Sequence, residues 1–306
     1  MKPLSSSARF ALGFAVLVGA ATLGLVGCQP PESKTAGPAG ERLFEVRGVI
    51  QELPQNDATR VIIDHEEIPD YMQAMIMPFR AKSAEALAEL EPGMVVTFDY
   101  HVRETESWIE NLQPTGEIGE IKDTAAILAP TTPLLEVGEV LPDYAFLDQD
   151  GQPTTLSDFR GKPVAMTFVF SRCPVPEYCP AMMRNFKAVL DSLEADPEAP
   201  EDWHLLTISF DSFNDTPELM KSWGAAWGHR PGQPWTLLTS ETCCTVRDIA
   251  GNVGLRYGEI NGSYQHNLRT VVLDAEGRIR KIFTDETWTN EALIAEIKSA
   301  DRVGTP

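Results

Sequence analysis

Residues 164–186, VAMTFVFSRCPVPEYCPAMMRNF, constrain the fold more than any other stretch of the chain. Val164 to Phe170 is an apolar, β-branched run of the kind that makes a buried strand. A proline-punctuated loop with Cys173 and Cys179 follows, and Pro180 suits the first position of a helix continuing through Ala181 to Leu190. A thiol beside a helix N-terminus faces unpaired N–H groups and the positive end of the dipole, both of which favour the thiolate. Thiolates attack disulfides and are soft ligands for Cu(I). The competing reading is a purely structural disulfide in an exported protein.

A chain of 306 residues has room for two domains, and its formal charge of −20 argues against nucleic acid and for cations as partners. Lys2 and Arg9 precede an apolar run from Phe10 to Gly27, the pattern of an export signal that is almost long enough to span a membrane. Leu25-Val26-Gly27-Cys28 resembles the bacterial lipoprotein signal. That resemblance implies removal of residues 1–27 and a lipid anchor on Cys28, periplasm-facing, with Gln29 leaning toward the outer membrane. Export places Cys173, Cys179, Cys243 and Cys244 in an oxidising compartment, where four cysteines allow three connectivities. Cys243 and Cys244 are adjacent, and a disulfide between neighbours is strained. Copper binding, pairing with the cysteine loop and an incidental position at a helix start all stay open for them.

Residues 28–43 are polar and rich in Pro and Gly, a composition that buries no core and makes a flexible tether. Residues 44–118 are mostly β: Val46 to Leu53, Arg60 to His65, Met94 to Val102 and Ser107 to Leu112 are expected as short strands. One helix is expected over Ala84 to Leu90, behind a Ser83 N-cap. A small all-β, OB-like barrel is the natural closure. Within it, Met75 and Met77 are two apart, so on a strand their thioethers share a face. With His65 they form a soft donor set suited to Cu(I). Methionine filling gaps in a core is the competing reading.

This stretch resembles the periplasmic copper-binding protein CusF and its relatives, five-stranded barrels that bind one Cu(I) through a His and a Met-x-Met pair. The resemblance implies His65, Met75 and Met77 as ligands. The tryptophan that caps the copper in those proteins corresponds to Met72 here, which makes Met72 a candidate third thioether.

Residues 119–137 are expected as a linker, and from residue 138 to 303 strands and helices alternate, the sign of an α/β fold. This region resembles the Sco/SenC family of thioredoxin-like copper proteins. Phe168-Val-Phe before Cys173-Pro, Cys179 followed by Pro, Ser209-Phe-Asp211, Asp215-Thr-Pro217 and the late His266 carry the likeness. It implies one copper held by Cys173, Cys179 and His266. The family spacing is Cys-x3-Cys, whereas this chain has Cys-x5-Cys, stiffened by Pro174 and Pro176.

Two functions follow. One is an exported, lipid-anchored copper chaperone with two copper sites, delivering to a recipient cuproprotein by analogy with Sco proteins at the Cu-A centre of cytochrome c oxidase. The other is a thiol–disulfide oxidoreductase, with Cys173 attacking partner disulfides and Cys179 resolving. A peroxidase is set aside, because Met166 and Phe170 stand where a peroxiredoxin carries Pro and Thr or Ser.

Overall fold

The computed structural model describes residues 40–53, 57–124, 128–260, 263–284 and 287–301. Its first five strands are β1 (Arg42–Glu52), β2 (Arg60–His65), β3 (Met75–Arg80), β4 (Met94–Val102) and β5 (Ser107–Ile118). They form an antiparallel sheet in the order β3-β2-β1-β4-β5. β1, β2 and β4 largely alternate buried and half-exposed residues, as a sheet with one face on a core must. The two edges curl toward each other and meet at a bridge between Ala81 and Ile109, where the Lys82 N–H also donates to the Ile109 carbonyl (3.1 Å). The sheet is thus barrel-like without a continuous ring of strands. Pro78, which cannot donate to a ladder, sits in the edge strand β3. Gly48 is paired with His65 across β1 and β2, and a Cβ there would lie 2.5 Å from the Ile63 side chain and 2.8 Å from the Asp64 carbonyl oxygen. Only glycine lets β1 approach β2 that closely.

The C-terminal strands are β6 (Ala145–Asp148), β7 (Pro153–Thr155), β8 (Val164–Val169), β9 (His204–Ser209), β10 (Trp235–Thr239), β11 (Tyr257–Ile260), β12 (Ser263–His266), β13 (Thr270–Leu273) and β14 (Ile279–Phe283). All but β11 and β12 form a sheet in the order β14-β13-β8-β9-β10-β6-β7. Parallel pairing joins β8, β9 and β10 at its centre; the outer strands pair antiparallel. Every residue of β8 is buried, as a central strand covered on both faces requires. Helices α1 (Cys179–Ala195) and α4 (Asn290–Asp301) pack on each other and on β8, while α2 (Pro217–Ala226) packs on β10 and α3 (Cys243–Val253) follows β10. In α1 the buried residues Met182, Met183, Phe186, Val189, Leu190 and Leu193 fall at helical spacing on one face. The Thr216 hydroxyl caps α2 by accepting from the Leu219 N–H (3.3 Å), with Pro217 in the first turn. This is the α/β architecture expected from the alternation of strands and helices, in the thioredoxin-like form that the family resemblance implies.

Several elements depart from the sequence expectation. The helix over Ala84 to Leu90 is a single 3-10 turn, Ala84–Leu87, whose Ser83 makes no capping bond and which buries only Leu87. β1 starts at Arg42, inside the expected tether, because Arg42 and Leu43 pair with Val102 and His101 of β4. β11 and β12 form a separate hairpin that the sequence does not announce, its four-residue strands being short and largely polar.

The expected linker is tied down at both ends. The Lys122 N–H donates to the Gln51 side chain (2.8 Å), and the Thr132 hydroxyl donates to the Asp248 carbonyl of α3 (2.6 Å). The export signal and Cys28 lie outside the described residues. No helix among the described residues is long and apolar enough to cross a membrane.

Candidate metal centre

β8 ends at Val169, the chain turns through residues 170–178, and Cys179 opens α1. Cys179, rather than Cys173, therefore occupies the helix N-terminus. Cys173 lies on the preceding turn, its N–H donating to the Phe170 carbonyl (3.3 Å). The last residue of β12 completes the cluster: the two sulfurs and a ring nitrogen of His266 all lie within 4.8 Å of one another. The Nδ1 of His266 sits 2.9 Å from the Asn267 carbonyl oxygen, which can only accept, so Nδ1 carries a proton and Nε2 is the ring nitrogen left for the cysteines or a metal. Phe170, Phe210 and Tyr178 pack around the ring, at 5.6, 5.0 and 6.0 Å between centroids. Both cysteines are buried, and the Phe170 N–H donates to Cys179 Sγ (3.4 Å).

The two sulfurs titrate as a pair. Burial opposes ionisation of Cys173, but hydrogen bonds with Cys179 and His266 and the imidazole charge outweigh it and bring its pKa below the ordinary thiol range. Burial, followed by the neighbouring Cys173 sulfur, drives Cys179 well above that range. Of the two sulfurs, Cys173 therefore ionises first and Cys179 last. Two sulfurs and one imidazole in an aromatic, water-poor pocket suit a soft ion such as Cu(I) and can equally carry out dithiol–disulfide exchange.

A buried carboxylate pair braces this loop. Asp215 accepts from the N–H and hydroxyl of Ser171 (3.0 and 2.5 Å) and from the Ser209 hydroxyl (2.5 Å). Asp211 accepts from Arg172 (2.7 Å), Asn214 (2.8 Å) and the Tyr264 hydroxyl (3.2 Å). Ser171 and Arg172 lead directly into Cys173, and Tyr264 lies two residues before His266, on the same face of β12. Asp211 and Asp215 stand out in the sequence as family landmarks; that they hold the residues leading into Cys173 becomes visible only in three dimensions.

In the N-terminal half, β2 and β3 place His65 directly opposite Met75, with Met77 two residues farther along β3. His65, Met72, Met75 and Met77 are all buried. His65 Nδ1 is 2.6 Å from the Glu66 carbonyl oxygen, so its Nε2 again carries the lone pair, and that buried atom has no hydrogen-bond partner. Burial lowers the His65 pKa and keeps the ring neutral. An orphaned acceptor among thioethers fits a soft cation better than it fits a core. Met72 lies off the strands, in a turn closed by a bridge to Ile68. Trp108, on β5, stacks on His101 (4.9 Å) and donates to Glu110 (2.6 Å).

Cys243 and Cys244 open α3, and Cys244 is exposed. Because β8 and β10 run parallel with β9 between them, α3 starts at the same sheet edge as the cysteine loop, two strands away. Cys244 does not belong to the Cys173–Cys179–His266 cluster.

Comparison with known proteins agrees with this division. The family described as SCO1/SenC matches residues 134–301, more than half of the chain, and the family described as copper binding periplasmic protein CusF matches residues 43–114. The mouse mitochondrial protein SCO2 homolog is 41% identical over 58 residues, a stretch that spans 19% of this chain and only 22% of that relative's length. Among solved structures, a SCO1/SenC family lipoprotein from Bacillus anthracis is 22% identical with a TM-score of 0.47, covering 56% of this chain and 97% of its own. Arabidopsis thaliana ScoI with copper bound is 17% identical with a TM-score of 0.47, covering 54% and 99%. Copper is the metal to which both halves point. By the match over residues 134–301 and the thioredoxin-like sheet around Cys173, Cys179 and His266, the chain belongs to the SCO1/SenC family.

Proposed function

We propose that this protein is a copper metallochaperone of the cell envelope with two copper sites. Cys173, Cys179 and His266 hold one copper ion; His65, Met75 and Met77 hold a second as Cu(I). Copper here is cargo, passed on to a recipient cuproprotein, and a cytochrome c oxidase subunit is the recipient that the family analogy favours. Export by residues 1–27 and a lipid on Cys28 hold it at the membrane, with residues 28–41 as tether. Residues 42–118 and 138–303 form the two copper-binding domains, and Gln29 favours the outer membrane.

The observation that carries this reading is the convergence of two sulfurs and an imidazole within 4.8 Å, from two segments far apart in sequence. The orphaned Nε2 of His65 supports the second site. The test is a Cu(I) titration of the reduced protein against a competing chelator. It is run on the wild type, on a variant lacking His65, Met75 and Met77, and on one lacking Cys173, Cys179 and His266. Two tight equivalents, with each variant losing a different one, support the chaperone; a cysteine variant that keeps both copper ions refutes it for the C-terminal half.

A second reading, thiol–disulfide exchange on partner cysteines, is favoured by one observation: the split of the paired sulfurs into a thiolate at Cys173 and a thiol at Cys179. It requires a measurable dithiol–disulfide potential and does not need His266 as a metal ligand. A His266→Ala variant that loses copper yet still exchanges disulfides, at a rate reduced with the Cys173 thiolate, separates the two.

A further inference from the structure

The loop between the two cysteines is where the halves of the molecule meet. The Tyr71 hydroxyl donates to the Pro174 carbonyl oxygen (2.8 Å). The Glu177 carboxylate accepts from the Ser107 N–H and, at 3.0 Å, from the Ser107 hydroxyl. Val175 is buried, and with Glu177 and Tyr178 it borders Pro78, Phe79 and Ser107. β12, which ends at His266, packs beside β3, which begins at Met75.

A cleft of about 400 Å³ remains between the halves. Tyr71 and Met72 line it on one side; Phe170, Arg172, Pro174 and Tyr264 line it on the other. Phe170 belongs to the cysteine centre as well, through its N–H on Cys179 Sγ and its ring on His266. Of the methionines in the N-terminal set, Met72 lines the cleft and Met75 and Met77 do not.

Building on the two-site reading above, we infer that Cu(I) crosses this cleft directly, from His65, Met75 and Met77 to Cys173, Cys179 and His266 of the same chain, with the Met72 thioether as the stepping ligand. The donor chemistry sets the direction. A neutral imidazole–thioether set releases Cu(I) to a set containing thiolates, whose charge complements the cation. No electrons move, and the proton displaced from the thiol leaves to solvent. Docking makes the step unimolecular, so copper need not pass through bulk water.

A trapping experiment tests this. The full chain, with Cys173 and Cys179 oxidised to a disulfide, is loaded with one equivalent of Cu(I) and then reduced in the presence of a fast Cu(I) chelator such as bicinchoninate. Copper reaching the cysteines is read by its thiolate charge-transfer absorption and copper escaping by the chelate colour. The wild type is expected to pass most of its copper to the cysteines at every protein concentration. Met72→Leu and Tyr71→Phe are expected to lower the ratio of transferred to trapped copper about tenfold.

Wild-type partitioning in both variants overturns the inference, as does a transfer that scales with protein concentration. A loss of N-terminal copper affinity in Met72→Leu makes Met72 a resident ligand and overturns its stepping role. Separate titration of each site keeps the two levels apart: absence of copper from either site sinks the two-site reading itself, whereas two filled sites with unchanged partitioning sink only direct transfer.

Discussion

Asp215 grips Ser171 twice, accepting from its backbone N–H at 3.0 Å and from its hydroxyl at 2.5 Å, two residues ahead of Cys173. The carboxylate is fully buried and also accepts from the Ser209 hydroxyl. Burial raises its pKa, while the three donors work in the opposite direction. A buried anion held this way fixes the course of the chain into the cysteine loop from the C-terminal ends of β8 and β9.

Asp215→Ala should therefore do two things. Stranding buried donors at Ser171 and Ser209 costs about 3 kcal/mol of stability, read by urea unfolding of the copper-free protein. Loosening the loop lowers copper affinity at the cysteine centre by about 10- to 100-fold, read by chelator competition. An Asp215→Ala protein that is destabilised yet binds copper with wild-type affinity would show that the brace serves the fold alone.

The two cysteines should react unequally. Cys173 is held as thiolate below the ordinary thiol pKa of about 8.5, whereas Cys179 is held protonated above it. In the reduced protein with both cysteines in place, alkylation by a small reagent at pH 7 is expected to reach Cys173 faster than Cys179 by about tenfold or more, resolved by peptide mapping. Mass spectrometry of quenched samples measures both rates, and His266→Ala should narrow the gap.

Acid should weaken the apo fold through its buried imidazoles. His204, half-buried with Nε2 at 2.8 Å from the Thr236 hydroxyl, has a pKa lowered from 6.5 to about 4, first by burial and then by the charge of Lys162. The unfolded chain takes up a proton where the folded one does not. The stability held at neutral pH is thus lost as pH falls below about 6.5 and fully gone by about 4, amounting to about 3 kcal/mol. His65 acts in the same direction. Thermal unfolding between pH 7 and 4 should show this slope, and His204→Gln should flatten it.

At His65, stability and metal binding should come apart. His65→Leu removes a buried Nε2 that has no partner but also the bond to the Glu66 carbonyl, and these offset each other to within about 1 kcal/mol. Copper, by contrast, should no longer raise the melting temperature through the N-terminal site. Calorimetry with and without one equivalent of Cu(I), on a background lacking Cys173 and Cys179, makes the comparison; copper stabilisation that survives His65→Leu counts against a ligand role.

Much of the site can be read from the sequence because its signals are local. The apolar run of β8, Pro180 at the start of α1 and the two-residue spacing of Met75 and Met77 each encode their own geometry. His266 is legible only through its likeness to a family, since the β11–β12 hairpin that delivers it is short and polar. The brace of Asp211 and Asp215 depends on contacts across some 40 residues of chain, such as Arg172 to Asp211 and Ser171 to Asp215, which no periodicity records. The same holds for Tyr71 on Pro174, which are 103 residues apart. Ala84–Leu87 reads as longer helix because its residues are good helix formers, but the turn buries only Leu87, too little packing to extend it.

Pro174 and Glu177 lie between the cysteines and also carry the contacts to Tyr71 and Ser107. Loop length therefore fixes two things at once: how far apart the sulfurs start and where the other half of the molecule rests. A deletion that returned the loop to a shorter form would unseat the N-terminal sheet, and a change at Ser107 would be felt in a loop it never touches in sequence. The two halves thus share one mechanical joint: a strain applied to either is delivered to the segment that spaces the sulfurs.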